Sequence, residues 1–108
     1  MLPNPETVAA FGEDRLALGL ARIEAYFFSH HLFAGDRDLI ARVWQIRHIP
    51  GIIVQGRYDM VCPICSADEL AHAWPEAEYV IVPGAGHSAM EPGIREQLVL
   101  AVERMKQY

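Results

Sequence analysis

Two polar side chains follow the two most apolar stretches of the chain, in a pattern that favours acid–base catalysis. Asp59 lies in the loop "GRYD" after the run "IPGIIVQG", and His87 lies in the loop "GAGHS" after the run "EYVIV". Each is an ordinary loop residue when taken alone. In parallel α/β sheets, however, functional groups gather at the carboxyl ends of the strands. Adjacent parallel strands would bring the two loops side by side, and a carboxylate placed there fixes the tautomer of the imidazole and stabilises its protonated form.

A Cys-x-x-Cys pair, Cys62 and Cys65, follows Asp59 directly. Such a pair occurs in thiol redox modules, where the first cysteine lies at a helix N-terminus, and as half of a zinc site. A zinc site needs two further ligands, but the chain has no second cysteine pair and its histidines, such as His72, are distant in sequence. We therefore expect two thiols without a catalytic role, and neither a metal nor a cofactor.

Two strands and two helices must position these loops. The runs "IPGIIVQG" and "EYVIV" lack regular polar alternation and predict strands buried on both faces of a parallel sheet. "SADELAHAW" begins with Ser66 and has Glu69 three residues later, a capping box that predicts a short helix ending at Pro75. "GIREQLVLAVERMKQY" predicts a final helix. Its apolar face consists of Ile94, Leu98, Ala101, Val102 and Met105. This order predicts a parallel pair of strands joined through a helix.

The first 48 residues predict helices and no strand. Asn4-Pro5 predicts the start of a first helix that runs to about Phe28. Its apolar positions recur at helical spacing: Leu16, Leu20, Ile23 and Phe27. A shorter amphipathic segment extends from about Asp36 to Trp44. Because two parallel strands cannot cover both of their own faces, we expect a fragment of a larger α/β sheet, or a chain whose partner strands lie elsewhere.

Composition limits the classes of function. The chain has 108 residues, 52% hydrophobic and 21% charged, which is typical of one small globular domain. A formal net charge of -5 gives no electrostatic reason to expect nucleic acid or an anionic membrane as partner. The apolar runs are too short to span a bilayer, and the N-terminal stretch lacks the pattern of a secretory signal. Two cysteines do not form a disulfide scaffold. We expect a cytoplasmic protein, and the oligomeric state stays open.

The second half closely resembles the C-terminal part of the proline iminopeptidases, serine peptidases of the α/β-hydrolase fold that remove N-terminal proline. The motifs that carry this resemblance are "GRYD", "CP", "AWP" and "GHSA" followed by "EP", and "ARIE" and "HIP" extend it upstream over nearly the whole chain. In this fold the acid and the histidine follow the last strands. The resemblance implies that residues 1–48 are part of the helical cap and the return to the core. Residues 49–108 would then be the C-terminal β-α-β-α of the α/β-hydrolase core.

The resemblance also implies roles for single residues. Asp59 is the triad acid, His87 is the general base, and Glu24 is the cap-helix glutamate that pairs with the free α-amino group of a peptide beginning with proline. A carboxylate recognises a cation at close range, which suits an aminopeptidase. After Glu24 this chain has "AYFF" where the family has Asn-His-Tyr-Phe. Cys62 matches a cysteine that the family carries near the acid loop, and Cys65 matches nothing in that pattern.

The nucleophile is missing from this pattern. No Gly-x-Ser-x-Gly motif occurs, and the only serines are Ser29, Ser66 and Ser88, none of them at a strand-to-helix turn between glycines. The Gly-rich oxyanion loop is also absent. We therefore expect the C-terminal part of a prolyl aminopeptidase, inactive alone. Two alternatives stay open. Another α/β-hydrolase of the esterase or epoxide hydrolase type would use Asp59 and His87 without Glu24, and a non-enzymatic remnant would use none of the three.

Overall fold

A computed structural model of the chain describes residues 5, 6, 9, 14–30 and 39–108. The described residues fall into two compact units, those within Pro3–Arg37 and those within Asp38–Tyr108. The first unit contains helix α1 (Asp14–Ser29), and the second contains the sheet and the remaining helices. No helix among the described residues is long and apolar enough to cross a membrane.

Helix α1 contains the predicted apolar positions of the first half. Leu20, Ile23 and Phe27 lie on it and are 36%, 60% and 43% exposed, so the described residues leave much of its apolar surface open to solvent. The predicted start of this helix at Asn4 lies outside the described residues. Glu24 lies in the same helix and is exposed.

The second unit has the order predicted for its α/β part. A 3₁₀ helix (Ile40–Gln45) precedes strand β1 (Ile52–Gly56), helix α2 (Ile64–Ala73), strand β2 (Glu78–Val82) and helix α3 (Pro92–Met105). The strands pair in parallel, with Ile52 opposite Glu78 and Gly56 opposite Val82. Because the strands are parallel and in register, their carboxyl ends lie next to each other. The predicted α/β order, a parallel pair of strands joined through a helix and followed by a second helix, is thereby confirmed.

The start of α2 corrects one expectation from the sequence. The predicted capping box at Ser66 is wrong. The helix begins at Ile64, and its N-cap is Pro63, where no side chain forms a capping hydrogen bond. Pro63 is extended (φ -58°, ψ 142°), and its carbonyl accepts a hydrogen bond of 3.0 Å from the backbone N–H of Ser66. Ser66 therefore lies within the first turn. The fixed φ of proline, suited to the entry of a helix, decides the start here.

The core of the second unit is small. Its buried apolar residues are Val43, Ala85, Ile94 and Ala101. Strands predicted to be buried on both faces are only half-buried or exposed along most of their length. The predicted apolar face of α3 is likewise only partly covered, since Leu98 is 38% and Val102 is 59% exposed. A sheet of two strands supplies too few neighbours to cover what the sequence provides.

Candidate active site

Backbone hydrogen bonds join the loops that follow β1 and β2. The N–H of Arg57 donates to the carbonyl of Val82 at 3.0 Å, and the N–H of Tyr58 donates to the carbonyl of Ala85 at 2.9 Å. Gly56 permits this approach, because a Cβ there would collide with the carbonyl oxygen of Gly86 and lie 2.9 Å from that of Ala85. The glycine at the end of β1 thus lets the two polar loops meet.

Asp59 and His87 come together where these loops meet. Nδ1 of His87 lies 3.0 Å from Oδ2 and 3.1 Å from Oδ1 of Asp59. The side chain of Asp59 is 8% exposed, whereas that of His87 is 46% exposed. The carboxylate is therefore enclosed, and the imidazole extends from it towards solvent.

The tautomer of His87 follows from this contact. An ionised carboxylate only accepts hydrogen bonds, so Nδ1 carries the proton and donates it, and Nε2 keeps its lone pair. Burial acts to raise the pKa of Asp59. Hydrogen bonds from the N–H of Cys62, from His87 and from the N–H of Val61 outweigh burial, and the pKa lies below its usual value. The carboxylate is therefore ionised at neutral pH. In the neutral form of the imidazole, the lone pair of Nε2 can accept a proton.

Glu91 organises the loop that presents His87, and the sequence reasoning did not assign it this role. Its Oε2 accepts a hydrogen bond of 3.0 Å from the N–H of Gly86, and its Oε1 accepts one of 3.2 Å from the N–H of Ser88. The carboxylate thus contacts the residues on both sides of His87. Glu91 is also the N-cap of α3, with Pro92 following it in the first turn. A glutamate before a helix-initiating proline, shortly after the Gly-rich stretch "PGAGHS", is the signal in the sequence that could have identified it.

Cys62 lies beside the acid–base pair. Oδ1 of Asp59 accepts hydrogen bonds from the N–H of Val61 at 2.9 Å and of Cys62 at 2.8 Å, so the loop curls around the carboxylate. One ligand atom each from Asp59, Cys62 and His87 lie within 4.8 Å of one another. Both cysteines are free and exposed, and Cys65 is not part of this group. These three are the residues in the described part of the chain that could hold a metal ion.

The predicted substrate carboxylate, Glu24, lies apart from this pair in the chain. It belongs to the unit of α1, whereas Asp59 and His87 belong to the second unit. The structure thus brings together the predicted acid and base and leaves the role of Glu24 a prediction.

Comparison with known proteins identifies the family. The family model described as TAP-like protein matches residues 36–98, more than half of the chain, and includes both Asp59 and His87. The chain belongs to the TAP-like family of α/β-hydrolases. It is 52% identical over 105 residues to a proline iminopeptidase from Arabidopsis thaliana, a match that covers 96% of this chain and 28% of that protein.

Two further relatives agree. A probable proline iminopeptidase from Leptolyngbya boryana is 45% identical over 96% of this chain and 33% of its own length. A proline iminopeptidase from Neisseria meningitidis serogroup B is 48% identical over 93% of this chain and 32% of its own length. The predicted resemblance to the C-terminal part of a proline iminopeptidase is confirmed. This member of the family spans about a third of the length of the curated relatives it matches.

Proposed function

We propose that this chain supplies the acid and the base of a serine peptidase that releases N-terminal proline from peptides. The observation that carries the proposal is the contact of 3.0 Å between Asp59 and His87 at the ends of adjacent parallel strands. Its support is the similarity of the chain to proteins named proline iminopeptidase.

The geometry supports distinct roles for His87 and Asp59. Nε2 of His87 accepts the proton of the attacking hydroxyl, and the same nitrogen later returns a proton to the leaving amine. Asp59 keeps Nδ1 protonated and stabilises the imidazolium that forms in between. The exposure of His87 leaves room for a nucleophile and a substrate to approach it, and the enclosed carboxylate stays out of their path.

We assign the nucleophile to a part of the hydrolase outside this chain. Ser29 donates to the carbonyl of Tyr26 within α1, Ser66 lies in the first turn of α2, and Oγ of Ser88 accepts the N–H of Met90. Since a triad serine needs a sharp strand-to-helix turn between glycines, no serine of this chain is suited to the role. The chain alone is therefore inactive in this proposal.

Glu24 completes the proposal as the group that binds the substrate's α-amino group. Glu24 is exposed on α1. A carboxylate placed near the amine of an N-terminal proline would form a charge-assisted hydrogen bond with it. Substrates are thus peptides that begin with proline. The free thiols of Cys62 and Cys65 agree with a cytoplasmic site of action, which we include in the proposal.

The test is a chimera. This chain replaces the matching 105-residue segment of the Arabidopsis relative, which supplies the rest of the hydrolase. We expect the chimera to hydrolyse proline p-nitroanilide, His87→Gln to abolish turnover, and the isolated chain to show none. A folded chimera that cleaves p-nitrophenyl acetate but no proline substrate would instead favour an esterase-type hydrolase. A chimera without either activity, at a melting temperature close to that of the relative, would favour a non-enzymatic remnant.

A further inference from the structure

We propose that Asp59, Cys62 and His87 form a site for Zn²⁺ that overlaps the acid–base pair, and that the bound ion switches the pair off. The inhibitory part of this inference rests on the proposed function. The binding part does not, since the ligands all belong to this chain.

The three ligand atoms are close to the arrangement that zinc requires. They lie within 4.8 Å of one another. In a tetrahedral site with bonds of about 2.0 Å to nitrogen and oxygen and about 2.3 Å to sulfur, ligand atoms lie roughly 3.3 to 3.6 Å apart. The separation of 3.0 Å between Nδ1 of His87 and Oδ2 of Asp59 is already near that range. The sulfur of Cys62, which is exposed and within 4.8 Å of the other two ligand atoms, has to move closer to them to complete the site.

The backbone keeps Cys62 in reach of the other two ligands. Its N–H donates to Oδ1 of Asp59 at 2.8 Å, and its carbonyl accepts a hydrogen bond of 3.1 Å from Nε2 of Gln55 on β1. Oδ1 accepts both loop amides and also lies 3.1 Å from Nδ1 of His87, whereas within the described part of the chain Oδ2 has His87 as its only hydrogen-bond partner. Oδ2 can therefore bind a metal without unravelling the loop.

The donor set selects the metal. Thiolate and imidazole ligands suit zinc, whereas calcium and magnesium prefer sites made of oxygen. Three protein ligands leave a fourth tetrahedral position for water, which the exposure of His87 makes accessible. Binding deprotonates the Cys62 thiol, so one proton leaves for each ion bound.

A zinc ion in this site and the proposed catalysis exclude each other. If the ion binds Nε2, it occupies the lone pair that would accept the nucleophile's proton. If it binds Nδ1, the ring proton moves to Nε2, which then has no lone pair to offer. Either geometry removes the general base, so the site would make the hydrolase sensitive to zinc.

Direct binding tests the site on the full 108-residue chain, kept reduced and stripped of metal with EDTA. Zinc chloride is titrated by calorimetry, and cobalt(II) serves as a spectroscopic probe through its sulfur-to-metal charge-transfer band. We expect binding of a single zinc ion. Cys62→Ala removes one ligand and should weaken zinc binding by at least roughly 10- to 100-fold. Losing even an outer-shell partner of a metal ligand costs about that much. Cys65→Ala is the matched control and should keep the affinity and the cobalt band.

The outcomes test zinc binding separately from inhibition of hydrolysis by zinc. Equal affinity in Cys62→Ala and the unmodified chain would overturn the site, as would an equal loss in Cys65→Ala. His87→Gln, checked for folding by circular dichroism, should also lose the affinity. In the chimera, zinc should inhibit hydrolysis of proline p-nitroanilide, and EDTA should restore it. Full activity at saturating zinc would overturn the inhibition, while a chimera without turnover would count against the proposed function and leave the binding result intact.

Discussion

Replacing Glu91 by glutamine should displace His87, the proposed general base, without changing His87 itself. The carboxylate accepts the N–H of Gly86 at 3.0 Å and that of Ser88 at 3.2 Å, so its two oxygens hold the residues on either side of His87. Glutamine has nearly the same shape but only one oxygen. One of the two amides would then face an NH₂ group, which donates and cannot accept. The carbonyl of Glu91 still begins α3 by accepting the N–H of Arg95 at 2.9 Å, so the helix itself should persist.

The size of the effect follows from these contacts. A hydrogen bond to a charged group contributes about 1.5–3 kcal/mol net, and one to a neutral group about 0.5–1.5 kcal/mol. Glu91→Gln loses one charged bond and weakens the other. Because Glu91 is only half-buried, solvent screens the contact and the lower values apply. At these lower values the change costs about 1.5–2.5 kcal/mol in the free energy that positions His87, which is roughly a 10- to 60-fold loss in kcat/KM.

The assay compares Glu91→Gln with Glu96→Gln in the chimera. Glu96 lies on the same helix and is exposed, so its replacement removes the same charge without the loop contacts. We expect kcat for proline p-nitroanilide to fall in Glu91→Gln with KM nearly unchanged, and hydrogen exchange at the amides of Gly86 and Ser88 to accelerate. Identical kinetics and identical amide protection in the two variants would refute a positioning role for Glu91.

Four further outcomes are expected. In the chimera with EDTA present, Asp59→Asn should reduce turnover on the order of 10⁴-fold, as in other triads, and far more than Cys62→Ala; equal losses would indicate a catalytic thiol. Glu24→Gln should lower kcat/KM for proline p-nitroanilide by roughly 10- to 150-fold, the value of a charged hydrogen bond, and leave p-nitrophenyl acetate unaffected; equal loss on both substrates would contradict an amine-binding role. Burial, and then the hydrogen bond of 2.8 Å to Asp68, raise the pKa of Tyr79 to about 12. The unfolded phenol ionises first, so folding should weaken as pH rises from about 10 towards that value; an ultraviolet titration in which Tyr79→Phe removes no late-ionising component would contradict it. The isolated chain should self-associate, since its open strand edges and apolar surface are exposed, and a sharp melt from a strictly monomeric sample in sedimentation would contradict that.

The sequence predicts the elements of the second unit because their signals are local. The run "EYVIV" coincides with β2, and the final helix differs from the predicted start by one residue. The order of strands and helices then places Asp59 and His87 at neighbouring strand ends, which the contact of 3.0 Å bears out. The failed prediction at Ser66 is also instructive. Two local signals, Pro63 and the capping box at Ser66, predict different starts for α2. The helix begins after the extended Pro63, so Ser66 lies inside its first turn and is not the cap.

Other parts of the site depend on contacts between residues distant in sequence. That Gly56 must lack a side chain is visible only once β1 and the loop of His87 lie together, since the clash is with the carbonyls of Ala85 and Gly86. Glu91 likewise gains its role from the path of the loop before it. The requirement at Gly56 does not appear in the spacing of residue types, because it depends on a backbone position fixed by the parallel pairing of the strands. For Glu91 the sequence shows a glutamate before a helix-initiating proline, but not the two amides that its carboxylate binds.

The burial of the second unit connects the fold to the proposed function. Asp59 and His87 keep their contact only while β1 and β2 stay paired. The core that supports this pair of strands is small and consists of Val43, Ala85, Ile94 and Ala101. The strands carry the apolar sequence of a sheet covered on both faces, yet they remain half-exposed. The relatives are about three times as long, so further strands and helices in a complete hydrolase would both cover these faces and bring a nucleophile to Nε2 of His87. The same additional strands and helices would then both stabilise the sheet and complete the active site.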